Sequence, residues 1–334
     1  MNQRYLKQLI QELIKNKNNK DIWYLIDKND ASLLEFLDLY NKYLKKNKFK
    51  IKDTQAKIIK KINQLSCLNC KGSGLVLDKF FKQILDKFQL IIKNRPEALA
   101  QYDQAFIQAD DVIKRVMFIY QRGDLLNSKI LVIGDDDLIS IALGLTNLPE
   151  IIYVIEIDQR LTSFINHISQ KYLLKIKTLT YDVRQPLPSN LLNQFDVFIT
   201  DPVETEKGLK AFLLRGMLSL KDNGSGYFGL TTLESSLKKW FAIEIFIIKN
   251  GFVITDIKRQ FSVYPLLEDK KSWQLFEDQL PISKLVNKKT TYEWYKSSFL
   301  RIEKVKKVNI KNTKINLGNK FYIDQEALAT PQIN

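Results

Sequence analysis

From residue 129 onward, short apolar runs alternate with helical patterns, and that alternation leaves the chain few architectures. The runs are Ile130 to Ile133, Ile151 to Ile155, Ile176 to Leu179, Val197 to Thr200, Gly226 to Leu230, Phe252 to Ile257 and Phe299 to Ile302. Periodic or polar segments such as Leu161 to Tyr172, Leu209 to Leu220 and Leu233 to Lys249 separate the first six. Strands divided by helices of this length build a mostly parallel α/β sheet covered on both faces. The seventh run has no crossover helix before it, so it is expected to enter antiparallel.

The segment before the alternation reads differently. Leu6, Leu9, Ile10, Leu13 and Ile14 mark one helix face, a second helix follows Asp30 and Ser32, and a third runs from Asp53 through Ile58, Ile59, Ile62 and Leu65. Three short helices, the turn KGSG at 71–74 and the run Leu75 to Leu77 predict a small winged-helix-like unit. Residues 78–93 continue as a helix, and Pro96 punctuates the join. The expected division is therefore 1–95 for the winged-helix-like unit, 96–305 for a Rossmann-like catalytic unit with a methyltransferase-type sheet, and 306–334 for a loosely ordered polar tail.

Charge and cysteine content narrow the function classes. The chain of 334 residues carries a net charge of +15, yet from Gly134 to Glu206 eleven acids face five bases, so that stretch is −6 and the rest +21. An acidic centre in a basic chain points to a cationic ligand. The two cysteines, Cys67 and Cys70, cannot make a disulfide framework, which favours a reducing cytoplasmic setting. They also supply only half of the four ligands of a structural zinc site, so either a plain turn or a zinc shared across a dimer is compatible with them, and no metal centre is expected within one chain. The longest apolar stretch, Trp240 to Ile257, is interrupted by Glu244, Lys249 and Asp256, so no membrane span is expected. The single histidine, His167, falls mid-helix and reads as a packing or surface residue. Residues 1–64 carry +8, which would suit DNA binding, but no helix interleaves Arg with Asn or Gln at base-reading spacing. Dimerisation is the favoured role for that unit, and a nucleic-acid partner is not expected.

In open α/β sheets, ligands bind outside the carboxyl ends of the strands. Here each of the first four strand ends delivers carboxylates: Gly134-Asp135-Asp136-Asp137, then Glu156 and Asp158, then Asp182, then Asp201 and Glu204. An acid after the second strand suits ribose hydroxyls and one after the third suits an adenine amino group, roles that Glu156 and Asp182 fit. Three aspartates in the first loop would repel the carboxylate of an amino-acid tail. At about 4 Å and an effective dielectric near 20, each such contact costs on the order of 4 kcal/mol. The loop suits a nucleoside whose tail ends in an amine, such as decarboxylated S-adenosylmethionine.

The segments GDDDLISIALGL (134–145), EIDQRL (156–161), FDVFITDPVET (195–205), GYFGLTTLESSLKKW (226–240) and YEWYKS (292–297) together resemble the N(4)-bis(aminopropyl)spermidine synthases, the branched-chain polyamine synthase family. YDQAF (102–106), RGDL (122–125) and the CxxCxGxG pattern at 67–74 share the likeness. Val203 stands where the family has a second proline, and Thr232-Leu233 replaces its basic pair.

The resemblance implies transfer of aminopropyl groups from decarboxylated S-adenosylmethionine, a co-substrate rather than a resident cofactor, to the central nitrogen of spermidine, with methylthioadenosine released. Asp136 and Asp137 are the candidates for the base that removes the amine proton, and Asp135 is a candidate for holding the donor ammonium. Gly134, Tyr102, Gln104, Glu156, Asp158 and Asp182 would bind the donor. Asp201, Glu204, Tyr227, Glu234, Trp294 and Tyr295 would line the acceptor channel. The rival enzyme is an S-adenosylmethionine-dependent N-methyltransferase, because DPVET echoes the DPPY loop of nucleic-acid methylases. A polyamine-sensing DNA-binding regulator is the non-enzymatic alternative.

Overall fold

The computed structural model describes residues 3–15, 21–45, 52–62, 67, 69–70, 72–266, 276–278, 280, 282–283, 292–308, 310–316 and 318–327. Its centre is a seven-stranded sheet: β1 Lys129–Ile133, β2 Ile151–Glu156, β3 Ile176–Thr180, β4 Phe195–Thr200, β5 Leu220–Thr231, β6 Phe252–Val263 and β7 Lys296–Lys304. The strand order is β3-β2-β1-β4-β5-β7-β6. Strands β1 to β5 pair in parallel, and β7 enters antiparallel between β5 and β6. The seven expected runs are these seven strands, and the last has the expected direction. β1 is buried on both faces from Ile130 to Ile133, which is why it is apolar without alternation.

Ten α-helices lie among the described residues. The amino-terminal group is α1 Gln3–Lys15, α2 Ile22–Asp27, α3 Leu33–Leu39 and α4 Asp53–Lys61. The sheet is flanked by α5 Lys79–Ile92, α6 Ala109–Gln121, α7 Ile139–Leu145, α8 Gln159–Tyr172, α9 Glu206–Ser219 and α10 Leu237–Lys249. Their starts follow from capping chemistry. Ser32 and Glu35 form a reciprocal capping box on α3, Asp158 accepts from the Arg160 amide at the start of α8, and the Thr205 hydroxyl accepts from the Gly208 amide on α9. Helices α6, α7 and α8 cover one face of the sheet, while α9 and α10 cover the other.

Three expectations for the flanks are corrected. Among the described residues no strand forms at 72–78, so the anticipated wing is absent there, and α2 is an additional helix of six residues, too short to announce itself by periodicity. The amino-terminal helices pack directly on the sheet-bearing part of the chain. Trp23 packs on Trp294 with centroids 4.7 Å apart, the Leu33 amide donates to the Leu233 carbonyl at 2.8 Å, and buried Asp27 accepts from Lys296 Nζ at 2.5 Å and the Tyr292 hydroxyl at 2.8 Å. One hydrophobic core runs from these helices through α6 to α8 and the sheet.

The described part of the polar stretch, 307–308, 310–316 and 318–327, is held, not loose; the remaining residues of the expected tail lie outside the described residues. Asn312 exchanges two hydrogen bonds with the Leu187 backbone, at 2.7 and 2.8 Å, the Thr205 hydroxyl donates to the Phe321 carbonyl at 2.7 Å, and Asp324 pairs with buried Lys239 at 2.9 Å. Such polar residues follow no hydrophobic period because their anchors are side-chain amides and carboxylates. The segment thereby sets Phe321 and Tyr322 beside the carboxyl ends of the central strands.

Candidate active site

The chain leaves β1 at Gly134, whose φ of +69° lies in the left-handed region that glycine adopts without strain. The loop that follows faces a cleft at the carboxyl ends of β1 to β4. Its walls are Gly134 and Asp136, Glu156 and Ile157, Tyr181 to Val183, and Asp201 with Val203, closed by Tyr102 to Gln104 on one side and Phe212, Phe321 and Tyr322 on the other.

The three aspartates after Gly134 do three different things. The Asp135 carboxylate is buried and turned into α7, where it accepts from the Ser140 hydroxyl and from the Ser140 amide at 3.3 Å. It does not line the cleft, so a role in holding a donor ammonium is not supported by its position. Asp136 does line the cleft; its Oδ2 accepts from the Ala105 amide at 2.9 Å. Burial, reinforced by the charges of Asp137, Asp201 and Glu156, raises its pKa well above the usual carboxylate range. Asp137 does not line the cleft; it accepts from the Ile107 amide at 2.7 Å and from the Arg115 guanidinium at 3.2 Å. Burial pushes Asp137 up to about 7 against the opposing pull of Arg115.

Of the residues proposed for the donor, Gly134, Tyr102, Gln104, Glu156 and Asp182 line the cleft and Asp158 does not. Buried Glu156 lines the cleft and accepts from the Asp135 and Asp158 amides, both at 2.8 Å, which fixes the carboxylate while leaving lone pairs for hydroxyls. Asp182 lines the cleft and is gripped by Arg184 through Nε at 2.9 Å and Nη2 at 2.7 Å. Burial would raise the Asp182 carboxyl, but the Arg184 bonds outweigh it and hold the pKa low. Tyr102 and Gln104 reach the cleft from the turn before α6. Asp158 does not line it; this residue caps α8 and anchors Gln104 Nε2 at 3.2 Å and Arg160 Nη2 at 2.6 Å.

The acceptor-side set divides. Asp201 lines the cleft, with Oδ2 accepting from Arg115 at 2.9 Å and from the Tyr264 hydroxyl at 3.4 Å. Behind it lies a buried acidic nook. There Glu204 accepts from the Thr231 amide and hydroxyl, both at 2.6 Å, while Glu234 accepts from the Tyr295 hydroxyl at 3.2 Å. Burial pushes Glu204 up to about 7. Two residues do not belong to the set. Tyr227 faces the core, stacks on Phe299 at 5.6 Å and donates to Asp124 at 2.5 Å. Trp294 is fully buried against Trp23, with its indole N–H on Glu277 at 2.9 Å. Tyr227 sits on β5, where strand aromatics pack, and Trp294 lies just before β7 in the core.

Sequence reasoning missed Arg115 and Tyr264. Arg115 is buried on α6 and joins Asp137 to Asp201, while Nε donates to Ser262 at 2.9 Å and Nη2 to Ser297 at 3.2 Å. The available signal was an arginine in phase with the apolar stripe Val112, Val116 and Ile119, where a charge needs buried partners. Outside the cleft, His167 is exposed on α8 and Cys67 and Cys70 are free thiols. No helix among the described residues is long and apolar enough to cross a membrane.

Comparison with known proteins accords with this geometry. The family described as Branched-chain polyamine synthase A C-terminal domain matches residues 83–329. N(4)-bis(aminopropyl)spermidine synthase of Thermococcus kodakarensis is 40% identical over 271 residues, covering 79% of this chain and 75% of the relative. The protein of the same name from Methanocaldococcus jannaschii is 38% identical over 303 residues, covering 89% and 81%. Among solved structures, a branched-chain polyamine synthase C9 mutein from Thermus thermophilus, in complex with N4-aminopropylspermidine and 5'-methylthioadenosine, superposes with a TM-score of 0.85 at 28% identity, covering 97% of this chain and 93% of that one. By sequence and by fold, this chain belongs to the branched-chain polyamine synthase family.

Proposed function

We propose that this protein transfers an aminopropyl group from decarboxylated S-adenosylmethionine to the central nitrogen of spermidine, releasing methylthioadenosine. The observation that carries the reading is the Asp136 carboxylate in the cleft, among Asp137, Asp201 and Glu156, in a chain whose relatives bear that enzyme name. The spermidine nitrogen attacks the aminopropyl carbon bound to sulfonium, the C–S bond breaks toward sulfur, and the thioether leaves neutral. The proton released by the nitrogen passes to Asp136. An alkylamine with a pKa near 10 is only about a thousandth free base at neutral pH, so a base is needed. The raised proton affinity of Asp136 suits it to that task. Glu156 and Asp182 would hold the ribose and adenine, with Tyr102 and Gln104 beside them, while Asp201, Glu204, Glu234 and Tyr295 would draw in the polycation. Positioning of the two substrates supplies most of the rate.

An S-adenosylmethionine-dependent methyltransferase is disfavoured because the donor carboxylate would face Asp136 and its acidic neighbours at a cost on the order of 4 kcal/mol per contact at about 4 Å. Isothermal titration of the purified protein with both donors separates the readings. Tighter binding of the decarboxylated donor, with methylthioadenosine and a branched tetra- or pentaamine identified by mass spectrometry, is the expected result; preference for the carboxylated donor would overturn it. We read the protein as cytoplasmic, with the amino-terminal helices serving a homodimer rather than nucleic acid. Light scattering that gives a monomer mass, or salt-sensitive and sequence-selective DNA capture on filters, would reverse that assignment.

A further inference from the structure

We propose that Arg115 is a positioning residue that acts through Asp137 and Asp201, holding both carboxylates in ion pairs so that Asp136 is left as the proton acceptor. The inference deepens the reaction proposed above and rests on it for its kinetic part. One guanidinium makes four bonds: Nη1 to Asp137 Oδ2 at 3.2 Å and to Asp201 Oδ2 at 2.9 Å, Nε to Ser262 Oγ at 2.9 Å and Nη2 to Ser297 Oγ at 3.2 Å. It lies over the Phe299 ring, 4.7 Å from the centroid, so its plane is fixed on a third side. The cation ties together loops after β1 and β4 and strands β6 and β7, four parts of the sheet that no other described ion pair joins. A planar fork can satisfy this set; a single ammonium on a flexible stem cannot hold two carboxylates and two hydroxyls in one plane.

Facing Arg115 are Asp137, Asp201 and the phenol of Tyr264. Facing Asp136 are Asp137, Asp201 and Glu156. Arg95 acts on Asp137, and Glu204 acts on Tyr264. On α6 itself, Lys114 is occupied by Asp110 and Asp111, each at 2.7 Å, and Asp111 accepts the Val263 amide at 2.8 Å, so none of these replaces Arg115. Removing the guanidinium charge leaves the buried Asp137 carboxylate without its cation, and it should then take up its proton at higher pH.

Two replacements and two readouts test the proposal. In Arg115→Gln the acidic limb of the kcat/KM against pH profile is expected to move up by about 1 to 3 pH units. In Arg115→Lys the limb is expected to stay near its original position while kcat falls about 10- to 100-fold with little change in KM, because charge is kept and geometry is lost. The second readout needs no turnover: carbon NMR of protein labelled in aspartate carboxyls follows the midpoint of Asp137, which should rise in Arg115→Gln and not in Arg115→Lys. A wild-type protein that releases no methylthioadenosine but shows this carboxyl behaviour sinks the reaction and keeps the ion-pair role. An unmoved Asp137 midpoint and an unmoved limb in folded Arg115→Gln overturn the proposal. Should Arg115→Gln not fold, the Ser262→Ala and Ser297→Ala pair, which frees the fork without removing its charge, must lower kcat with the pH limb unmoved; wild-type kcat in that pair overturns it equally.

Discussion

Replacing Gly229 by alanine would put a methyl carbon 1.8 Å from Asp201 Oδ1 and 2.8 Å from its Cγ. A carbon and an oxygen need about 3.3 Å, so the carboxylate must move roughly 1.5 Å. It cannot do so freely, because Oδ2 is held by Arg115 at 2.9 Å. A hydrogen bond to a charged group contributes about 1.5 to 3 kcal/mol. Expressed wholly in the transition state, that loss is about 10- to 150-fold in kcat/KM. Folding stability should fall less, by about 1 to 2 kcal/mol, since alanine is intrinsically better than glycine in a strand by roughly 0.5 to 1 kcal/mol. The assay is a double-mutant cycle with Asp201→Ala, reading kcat/KM by methylthioadenosine release and stability by urea unfolding. Gly229→Ala should add no further loss of activity on the Asp201→Ala background, and the double variant should regain stability relative to Gly229→Ala alone. Additive losses in both readouts would refute the argument, because the methyl would then be acting on something other than Asp201.

Other outcomes follow from the same geometry. Asp136→Asn should lower kcat by about 10²- to 10⁴-fold, whereas Asp158→Asn, which anchors Gln104 from outside the cleft, should mainly raise the donor KM; equal small effects on both place the base elsewhere. Tyr227→Phe should leave steady-state kinetics unchanged and cost about 1 kcal/mol in urea unfolding, since its hydroxyl serves Asp124 in the core. Burial pushes Asp137 and Glu204 up to about 7, so each binds its proton more tightly in the native than in the unfolded chain. Their contribution to stability is therefore lost as pH rises from about 4 through about 7, and Asp137→Asn should flatten that descent in Tm against pH. Identical pH profiles for wild type and Asp137→Asn would show that Asp137 ionises normally.

The sheet was legible because its signal is local: each apolar run is long enough to be a strand, and a run such as Ile130 to Ile133 without alternation belongs to a doubly covered sheet. The acidic strand ends were legible for the same reason, since topology alone carries Asp136, Glu156, Asp182 and Asp201 to one edge. Side-chain direction was not legible. Asp135, Asp136 and Asp137 are adjacent, yet Ser140, the Ala105 amide and Arg115 draw them three ways, and two of those partners come from distant parts of the chain. The core positions of Tyr227 and Trp294 were not legible because an aromatic residue reads alike in sequence whether it meets a ligand or another ring. Phe321 and Tyr322 escaped notice because the segment that carries them is fixed by isolated polar anchors, which leave no periodic trace.

The indoles of Trp23 and Trp294, tilted by 30° against each other, belong to one hydrophobic mass that the helical head shares with the sheet. A blade drawn at residue 95 would bare an aromatic wall on the sheet side, an adhesive surface that solvent does not tolerate. Calorimetry of the intact chain should accordingly register one endotherm rather than two.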